Sequence, residues 1–170
     1  MDYKEVIKDR DFISLDISVR SSGWVKNHKG ILTYGTKALE SQTELGRRVE
    51  FREFIEELFG KEYIETVYIE DVIAGTNFKT TKGLIQLNTI VDDLRELKVL
   101  DIGRIERIDN RKWKKYLKQL SDYKAIEKKN DKKIIIECMN NLGFNENEKQ
   151  DIYDALGMAL GCIYKEFQGD

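Results

Sequence analysis

The sequence has no proline, two cysteines and one histidine. Cys138 and Cys162 do not form a Cys-x-x-Cys pair, so they predict reduced core thiols and neither a zinc site nor a disulfide. His28 falls in an expected hairpin turn, where an exposed turn residue is favoured over a general base. The lack of proline is typical of an AT-rich genome and excludes no function.

Long apolar runs are missing as well. The longest, such as Ile134 to Ile136, are far shorter than the roughly 20 residues that span a bilayer. The amino-terminal MDYKEVIKDR also lacks the apolar region of a signal peptide. We therefore expect a soluble protein without membrane contact in the bacterial cytoplasm, or in the host cytoplasm if a bacteriophage encodes it. The sequence leaves that source open.

The charges are segregated along the chain, although the formal net charge is only −2. Residues 111–133 contain ten Lys or Arg and three Asp or Glu, which gives this stretch a charge of +7 and the remainder −9. Such a basic band is either a solvated helix face or a surface for nucleic-acid phosphates. Charge alone leaves both interpretations open.

The length of 170 residues and the apolar pattern predict a single α/β domain over residues 1–170. An antiparallel meander is expected first, with strands at 12–17, from 23 and at 31–39, and a turn at 27–30. The expected later elements are helix 43–59, strand 64–69, loop 74–83, helix 84–98, strand 99–105, a basic helix near 111–120, a helix capped by Asp131 that runs to Leu142, and a last helix that starts near Asn145 and Glu148. Leu45, Val49, Ile55 and Leu58 are the expected apolar stripe of helix 43–59.

Helix 84–98 is apolar on more than one face. Its seam repeats at the three-four spacing of a coiled coil, and further apolar residues lie beside it: Leu84, Leu87, Val91 and Leu94 in the seam, with Ile85, Ile90 and Leu97 beside it. A second buried face of this kind predicts a homodimer through helix 84–98.

Acidic residues occupy positions where a carboxylate is costly. Asp16 stands in an apolar strand, where an unpaired buried carboxylate costs several kcal/mol, and a divalent cation would compensate for it. Glu70 closes strand 64–69, whereas its neighbour Asp71 is expected to point to the opposite side. Asp151 and Asp154 are three residues apart and share a face of the last helix. Each has an ordinary structural explanation alone, but together they indicate one site.

The last helix is unusually slim. Gly157 and Gly161 each cost roughly 1 kcal/mol relative to alanine inside a helix, and Ala155 and Ala159 lie among them. Close packing of the helix backbone onto the sheet would offset that cost. It would also bring both Asp151 and Asp154 to the strand ends.

Three motifs resemble those of the RuvC family of Holliday-junction resolvases, in an order and spacing that cover about residues 12 to 164. LDISVRSSGW resembles the family's Asp-led strand and glycine hairpin, YIEDVIAGTN its strand ending in Glu, and QDIYDALGMALG its terminal Asp-x-x-Asp-Ala helix. The resemblance implies an α/β RNase H-like fold, with a central mixed five-stranded sheet and helices on both faces. It also implies a homodimer that binds four-way DNA in recombination and repair.

The same resemblance implies a crossover junction endodeoxyribonuclease that hydrolyses phosphodiesters of Holliday junctions and leaves 5′ phosphates. Two Mg²⁺ or Mn²⁺ ions would bind at the catalytic carboxylates Asp16, Glu70, Asp151 and Asp154. Lys114, and Lys132 or Lys133, would contact DNA from two helix starts.

The chain departs from the family at one DNA-contacting position. An aromatic residue often stands three positions after the catalytic Glu, where this chain has Ile73, and Phe78 is a candidate substitute. The departure leaves the cleavage-sequence preference open and allows a broader branched-DNA nuclease.

Two other classes remain to be weighed. An actin-like nucleotide-binding fold also opens with an Asp-led strand, but it needs two such domains and the chain has the length of one. A catalytically silent module that binds branched DNA would gain nothing from four acidic groups that face phosphate.

Overall fold

A computed structural model describes residues 2–72, 78–124, 130–144 and 149–169. The strands are β1 (Phe12–Asp16), β2 (Ser21–His28), β3 (Ile31–Ala38), β4 (Ile64–Glu70) and β5 (Ile102–Ile108). The helices are α1 (Tyr3–Ile7), α2 (Glu44–Phe59), α3 (Phe78–Glu96), α4 (Asn110–Leu120), α5 (Asp131–Asn141) and α6 (Gln150–Gln168). Of the helices in these described ranges, none is long and apolar enough to cross a membrane.

The five strands form one mixed sheet in the order β3-β2-β1-β4-β5. β1 pairs antiparallel with β2, and β2 with β3, which confirms the predicted meander. β1 pairs in parallel with β4, and β4 with β5. Lys29 and Gly30 turn the chain between β2 and β3 with φ values of 52° and 76°, the positive values that a two-residue type I′ hairpin requires. The predicted mixed five-stranded sheet is therefore confirmed.

Side chains of β1 alternate between the two faces of this sheet. Phe12 joins a core that the sheet forms with α1, α4, α5 and α6, whereas Ile13 and Leu15 join a second core formed with α2 and α3. The prediction of helices on both faces is confirmed. Ser14 and Asp16 follow Phe12 at intervals of two residues, so both lie on the α6 side of the sheet.

Helix α6 lies between the sheet and α4 and is buried along most of its length. The Ser14 hydroxyl donates to the Ala155 carbonyl at 2.6 Å and so joins α6 to β1. The glycines that were predicted to pack on the sheet face α4 instead. A Cβ on Gly157 would lie 3.0 Å from a leucine side chain of α4, and one on Gly161 only 2.4 Å from the carbonyl oxygen of Trp113. The slim helix thus makes room for the backbone and indole of Trp113.

Two element boundaries differ from the prediction. α3 begins at Phe78, so the predicted loop 74–83 is wrong over 78–83, while residues 74–77 lie outside the described residues. The side chains of residues 79–82 are polar, so the apolar pattern of the sequence does not indicate this first helical turn. β5 covers Ile102–Ile108 and not 99–105, because Lys98 turns the chain after α3 with φ of 57° and the buried Leu100 packs before the strand begins.

The inward face of α2 is also different from the predicted stripe. Of the predicted stripe, Leu45 and Val49 are exposed, whereas Ile55 is buried as predicted. The other buried positions are Phe51, Phe54 and Phe59. The three phenylalanines present more apolar area than the smaller residues at the start of the helix, so they determine which face turns inward.

Two local predictions on the polar residues are wrong. His28 is not an exposed turn residue: its two ring nitrogens lie 3.4 Å from Asp11 and 3.5 Å from Glu62, because the side chain still belongs to the end of β2. Asn130 caps α5 by accepting a hydrogen bond from the backbone of Lys133, and Asp131 is the first helical residue. The predicted start of the last helix at 145–148 lies outside the described residues.

Most of the apolar seam of α3 belongs to the protein's own core. Leu87, Val91 and Leu94 are buried against the sheet and α2, together with Ile90. Ile85 and Leu97 remain exposed. The predicted homodimer can therefore use only the outer residues of this helix.

The contact between α6 and α4 predicts a contrast between two glycine substitutions. Gly161→Ala should destabilise the fold by about 2 kcal/mol, because the new methyl group would overlap the backbone of Trp113. Gly157→Ala should change stability by less than about 1 kcal/mol, because its neighbours are side chains that can adjust and alanine favours the helix. Urea denaturation of both variants measures the difference, and equal losses would contradict the described packing.

Candidate active site

Asp16 and Glu70 end two neighbouring parallel strands. The register pairs Leu15 of β1 with Ile69 of β4, and one further residue brings Asp16 beside Glu70. The alternation of side chains puts both carboxylates on the α6 face of the sheet. Asp71, one residue beyond the strand, is exposed, and its N–H donates to the Ile108 carbonyl at 2.9 Å.

The first turn of α6 rests on the sheet next to Asp16. Asp16 pairs with Gly23 of β2, and a Cβ on Gly23 would lie 1.9 Å from the carbonyl oxygen of Asp151. Only glycine allows this approach, because any side chain at residue 23 would push the helix away. Asp151 and Asp154, on the first turns of α6, are therefore held close to the strand ends.

The four carboxylates form one electrostatic cluster, called here the carboxylate site (Asp16, Glu70, Asp151 and Asp154). Burial, together with the negative charges of Asp154, Glu70 and Asp151, raises the pKa of Asp16 to about 7. The Lys114 ammonium group acts in the opposite direction. Burial also raises the pKa of Asp154, while a hydrogen bond from Gln150 and the charge of Lys114 lower it.

Neighbouring polar side chains hold three of these carboxylates. Asn110, the first residue of α4, donates to Glu70 at 2.5 Å. The Ser21 hydroxyl donates to Asp151 at 3.0 Å. Gln150 donates to Asp154 at 2.9 Å. The sequence analysis missed these three residues, and only the position of Ser21 in the glycine hairpin could have indicated one of them.

Several solved structures similar to this chain are Holliday-junction resolvases. Thermus thermophilus RuvC in complex with Holliday-junction substrate has a TM-score of 0.68 and 13% identity, over 93% of this chain and 96% of that one. A second T. thermophilus RuvC structure has a TM-score of 0.62 and 15% identity over the same shares. The yeast mitochondrial Holliday junction resolvase Ydc2 has a TM-score of 0.60 and 8% identity, over 98% and 86% of the two chains. The chain has the RuvC fold.

This result confirms the predicted RNase H-like architecture. At sequence identities of 8–15%, the similarity shows the fold alone. No protein-family model and no curated protein matches the sequence. The roles of individual residues in this RuvC fold therefore rest on the geometry of the chain itself.

The carboxylate site has the charge and donor atoms that suit a divalent cation. Carboxylate oxygens are the donors that Mg²⁺ and Mn²⁺ prefer. The ammonium group of Lys114 acts on two of the four carboxylates, Asp16 and Asp154. Within the part of the chain that the structure describes, no group of three or more His, Cys, Asp or Glu side chains is already arranged to hold an ion. Asn110, Ser21 and Gln150 instead keep three carboxylates hydrogen-bonded to protein.

The predicted DNA-contacting residues of this RuvC fold lie in different settings. Lys114 has a side chain only 16% exposed, and it pairs with Asp131 of α5 at 3.1 Å next to the carboxylate site. Lys132 and Lys133 are exposed at the start of α5. Phe78 is 80% exposed at the start of α3, and Ile73 lies outside the described residues. Only Lys114 acts directly on the carboxylates.

The raised pKa of Asp16 predicts a pH-dependent stability in the metal-free protein. The folded state keeps a proton on Asp16 up to about pH 7, whereas the unfolded chain releases it near pH 4. The contribution of Asp16 to the free energy of unfolding therefore falls as pH rises from about 4 to 7 and is constant above that. Asp16→Asn should remove this fall and be more stable than wild type at pH 8, by up to a few kcal/mol.

Urea denaturation in EDTA at pH 5, 6, 7 and 8 measures this effect. Asp71→Asn is the matched control, because Asp71 is exposed, and its curve should follow that of wild type. A constant difference between Asp16→Asn and wild type at all four pH values would contradict the prediction.

Proposed function

We propose that this chain is a metal-dependent endonuclease that resolves Holliday junctions, and other branched DNA, by hydrolysing phosphodiester bonds to leave 5′ phosphates. The observation that carries this proposal is the burial of Asp16 among three further carboxylates at the strand ends of a RuvC fold. Burial beside like charges, which here raises a carboxylate pKa to about 7, is typical of a functional site and not of a structural ion pair.

The carboxylate site would hold Mg²⁺ or Mn²⁺, two ions per site. Bound there, these ions would activate the attacking water and stabilise the leaving 3′ oxygen. Asp16, which all three other carboxylates influence, is the central ligand in this proposal. Asn110 and Ser21 orient Glu70 and Asp151, and Lys114 neutralises a phosphate oxygen near the cut.

DNA is the substrate because a basic surface adjoins the carboxylates. Lys114 lies beside the site, and the exposed Lys132 and Lys133 continue the positive charge onto α5. A protein that binds DNA phosphates gains affinity because counterions are released from the DNA. These lysines supply the positive charge that displaces the counterions. Branched substrates are proposed because the similar structures are Holliday-junction resolvases, one of them bound to its junction.

The sharpest test of the chemistry is Asp154→Asn. This change keeps the size of the side chain but removes one negative charge, so metal-dependent cutting of a synthetic four-way junction should fall by orders of magnitude. Junction binding in EDTA should survive and become tighter, because one carboxylate fewer repels the phosphates. Cutting is measured by gel with Mg²⁺ or EDTA, and binding by fluorescence anisotropy.

Asp71→Asn is the control and should cut within a few-fold of the wild-type rate. Wild-type cutting by Asp154→Asn together with loss of cutting by Asp71→Asn would mean that the carboxylates have been misassigned. Junction binding by the wild-type protein without any Mg²⁺- or Mn²⁺-dependent cutting would support the silent binding module instead.

The protein is further proposed to act as a homodimer through α3 and the adjoining face of α2. Leu45 and Leu97 are 69% and 68% exposed, and with Val49 they line one apolar groove between the two helices. Exposed apolar side chains that share a groove are typical of an interaction surface. A two-fold dimer would match the symmetry of a four-way junction.

Leu97→Glu should therefore convert the dimer to a monomer at micromolar concentration without unfolding it, because Leu97 is outside the core. Ile31→Glu on β3 is the matched control, since Ile31 is also 69% exposed but lies on the far edge of the sheet. Light scattering measures the mass of both variants. A monomeric wild type, or a dimeric Leu97→Glu, would contradict this interface.

A further inference from the structure

A second basic surface lies on the α2–α3 side of the sheet. A groove opens there between the connection from β1 to β2, the start of α2 and the start of α3. Four cationic side chains line it and define what is called here the arginine groove: Arg20, Arg47, Arg48 and Lys79. Sequence analysis did not find it, because the four residues are spread over three elements.

The arginine groove is positively charged, because three arginines and one lysine line it. Among residues 2–72, 78–124, 130–144 and 149–169, no carboxylate forms an ion pair with any of its four cations. Glu44 is the acidic residue that lines the groove, and Lys82 pairs with it at 3.6 Å. Arg47 donates to the Ser41 carbonyl at 3.0 Å, which fixes that guanidinium group without removing its charge.

The arginine groove and the carboxylate site are separated by a single stretch of backbone. Ser21 reaches Asp151 on the α6 side, whereas Arg20 lines the groove on the other side. A Cβ on Gly83 would lie 3.0 Å from Val19, so α3 packs directly against this connection. A DNA strand with one phosphate at the carboxylates could thus reach the groove within a few nucleotides.

The two basic surfaces lie on opposite faces of the sheet. Lys114, Lys132 and Lys133 belong to α4 and α5, which pack on one face, and the arginine groove lies on the face covered by α2 and α3. The carboxylate site lies at the strand ends on the first of these faces. A straight duplex that lies along one face does not contact the other face. A branched molecule can place one arm on each face.

From this arrangement we infer that the arginine groove binds the sugar-phosphate backbone of a second DNA arm and so favours branched over linear DNA. Arginine suits this role because its planar guanidinium group pairs with phosphate oxygens in a bidentate manner. Lys79 and Thr80, which also line the groove, belong to the first turn of α3. The dipole of this helix attracts anions to that turn. This inference rests on the proposed function and names the contact that selects its substrate.

The test is the double variant Arg20→Ala/Lys79→Ala, which removes two exposed charges that form no ion pair within the described ranges of the chain. Its affinity for a synthetic four-way junction is measured by fluorescence anisotropy in EDTA, at several salt concentrations, and compared with that for a linear duplex. We expect about a tenfold loss of junction affinity at 150 mM salt and a slope of log affinity against log salt that is lower by about 2. Affinity for the linear duplex should change less than threefold.

Lys4→Ala/Lys61→Ala is the charge-matched control, since both lysines are exposed and lie outside the groove. It should leave the junction affinity and the salt slope unchanged. An unchanged junction affinity in the groove variant, or equal losses for junction and duplex, would overturn the inference. Because the assay is in EDTA, such a result would leave the cutting test with Asp154→Asn intact, whereas a wild-type protein that binds neither DNA would reject the proposed function itself.

Discussion

The contact between Gly23 and the backbone of Asp151 determines where α6 can lie. At this point a helix touches the sheet with no side chain between them, since a Cβ would come within 1.9 Å of a carbonyl oxygen. Ser14 then fixes the next turn by its hydrogen bond to Ala155, and the glycines on the outer side of α6 admit α4. Three layers of backbone are thus packed together with unusually small side chains.

That packing creates an electrostatic cost in the same place. It brings two helical carboxylates to two strand-end carboxylates, all four at half-buried positions. The apolar cores on both faces of the sheet have to stabilise the fold against this repulsion, and Lys114 relieves only part of it. The fold therefore gives up stability at the site that we propose to carry the chemistry, and proteins commonly make this compromise for function.

Sequence patterns predicted the parts of the molecule that depend on local periodicity. The alternation along β1 and β4, and the spacing of Asp151 and Asp154, were enough to predict a shared face. Contacts between distant elements were not predictable in this way. Asn110 binds Glu70 across 40 positions of the chain, and the partner of the α6 glycines depended on the path of α4.

The same limit explains the errors in single elements. The first turn of α3 is polar because it lines the arginine groove, so its sequence resembled a loop. The orientation of α2 depended on which of two apolar faces met the sheet, and three phenylalanines decided it. The start of β5 was misplaced because the turn after α3 uses Lys98 in a conformation that favours glycine.

The burial of α6 also affects when the carboxylate site is completed during synthesis of the chain. All five strands precede α6 in the chain, so the ribosome delivers Asp16 and Glu70 long before Asp151 and Asp154. Until α6 emerges, Phe12 and Tyr68 lack their apolar cover, and the nascent chain remains a partly exposed sheet. Closing the core and completing the carboxylate site are then one event, so the four carboxylates come together only in a chain whose α6 has already been made.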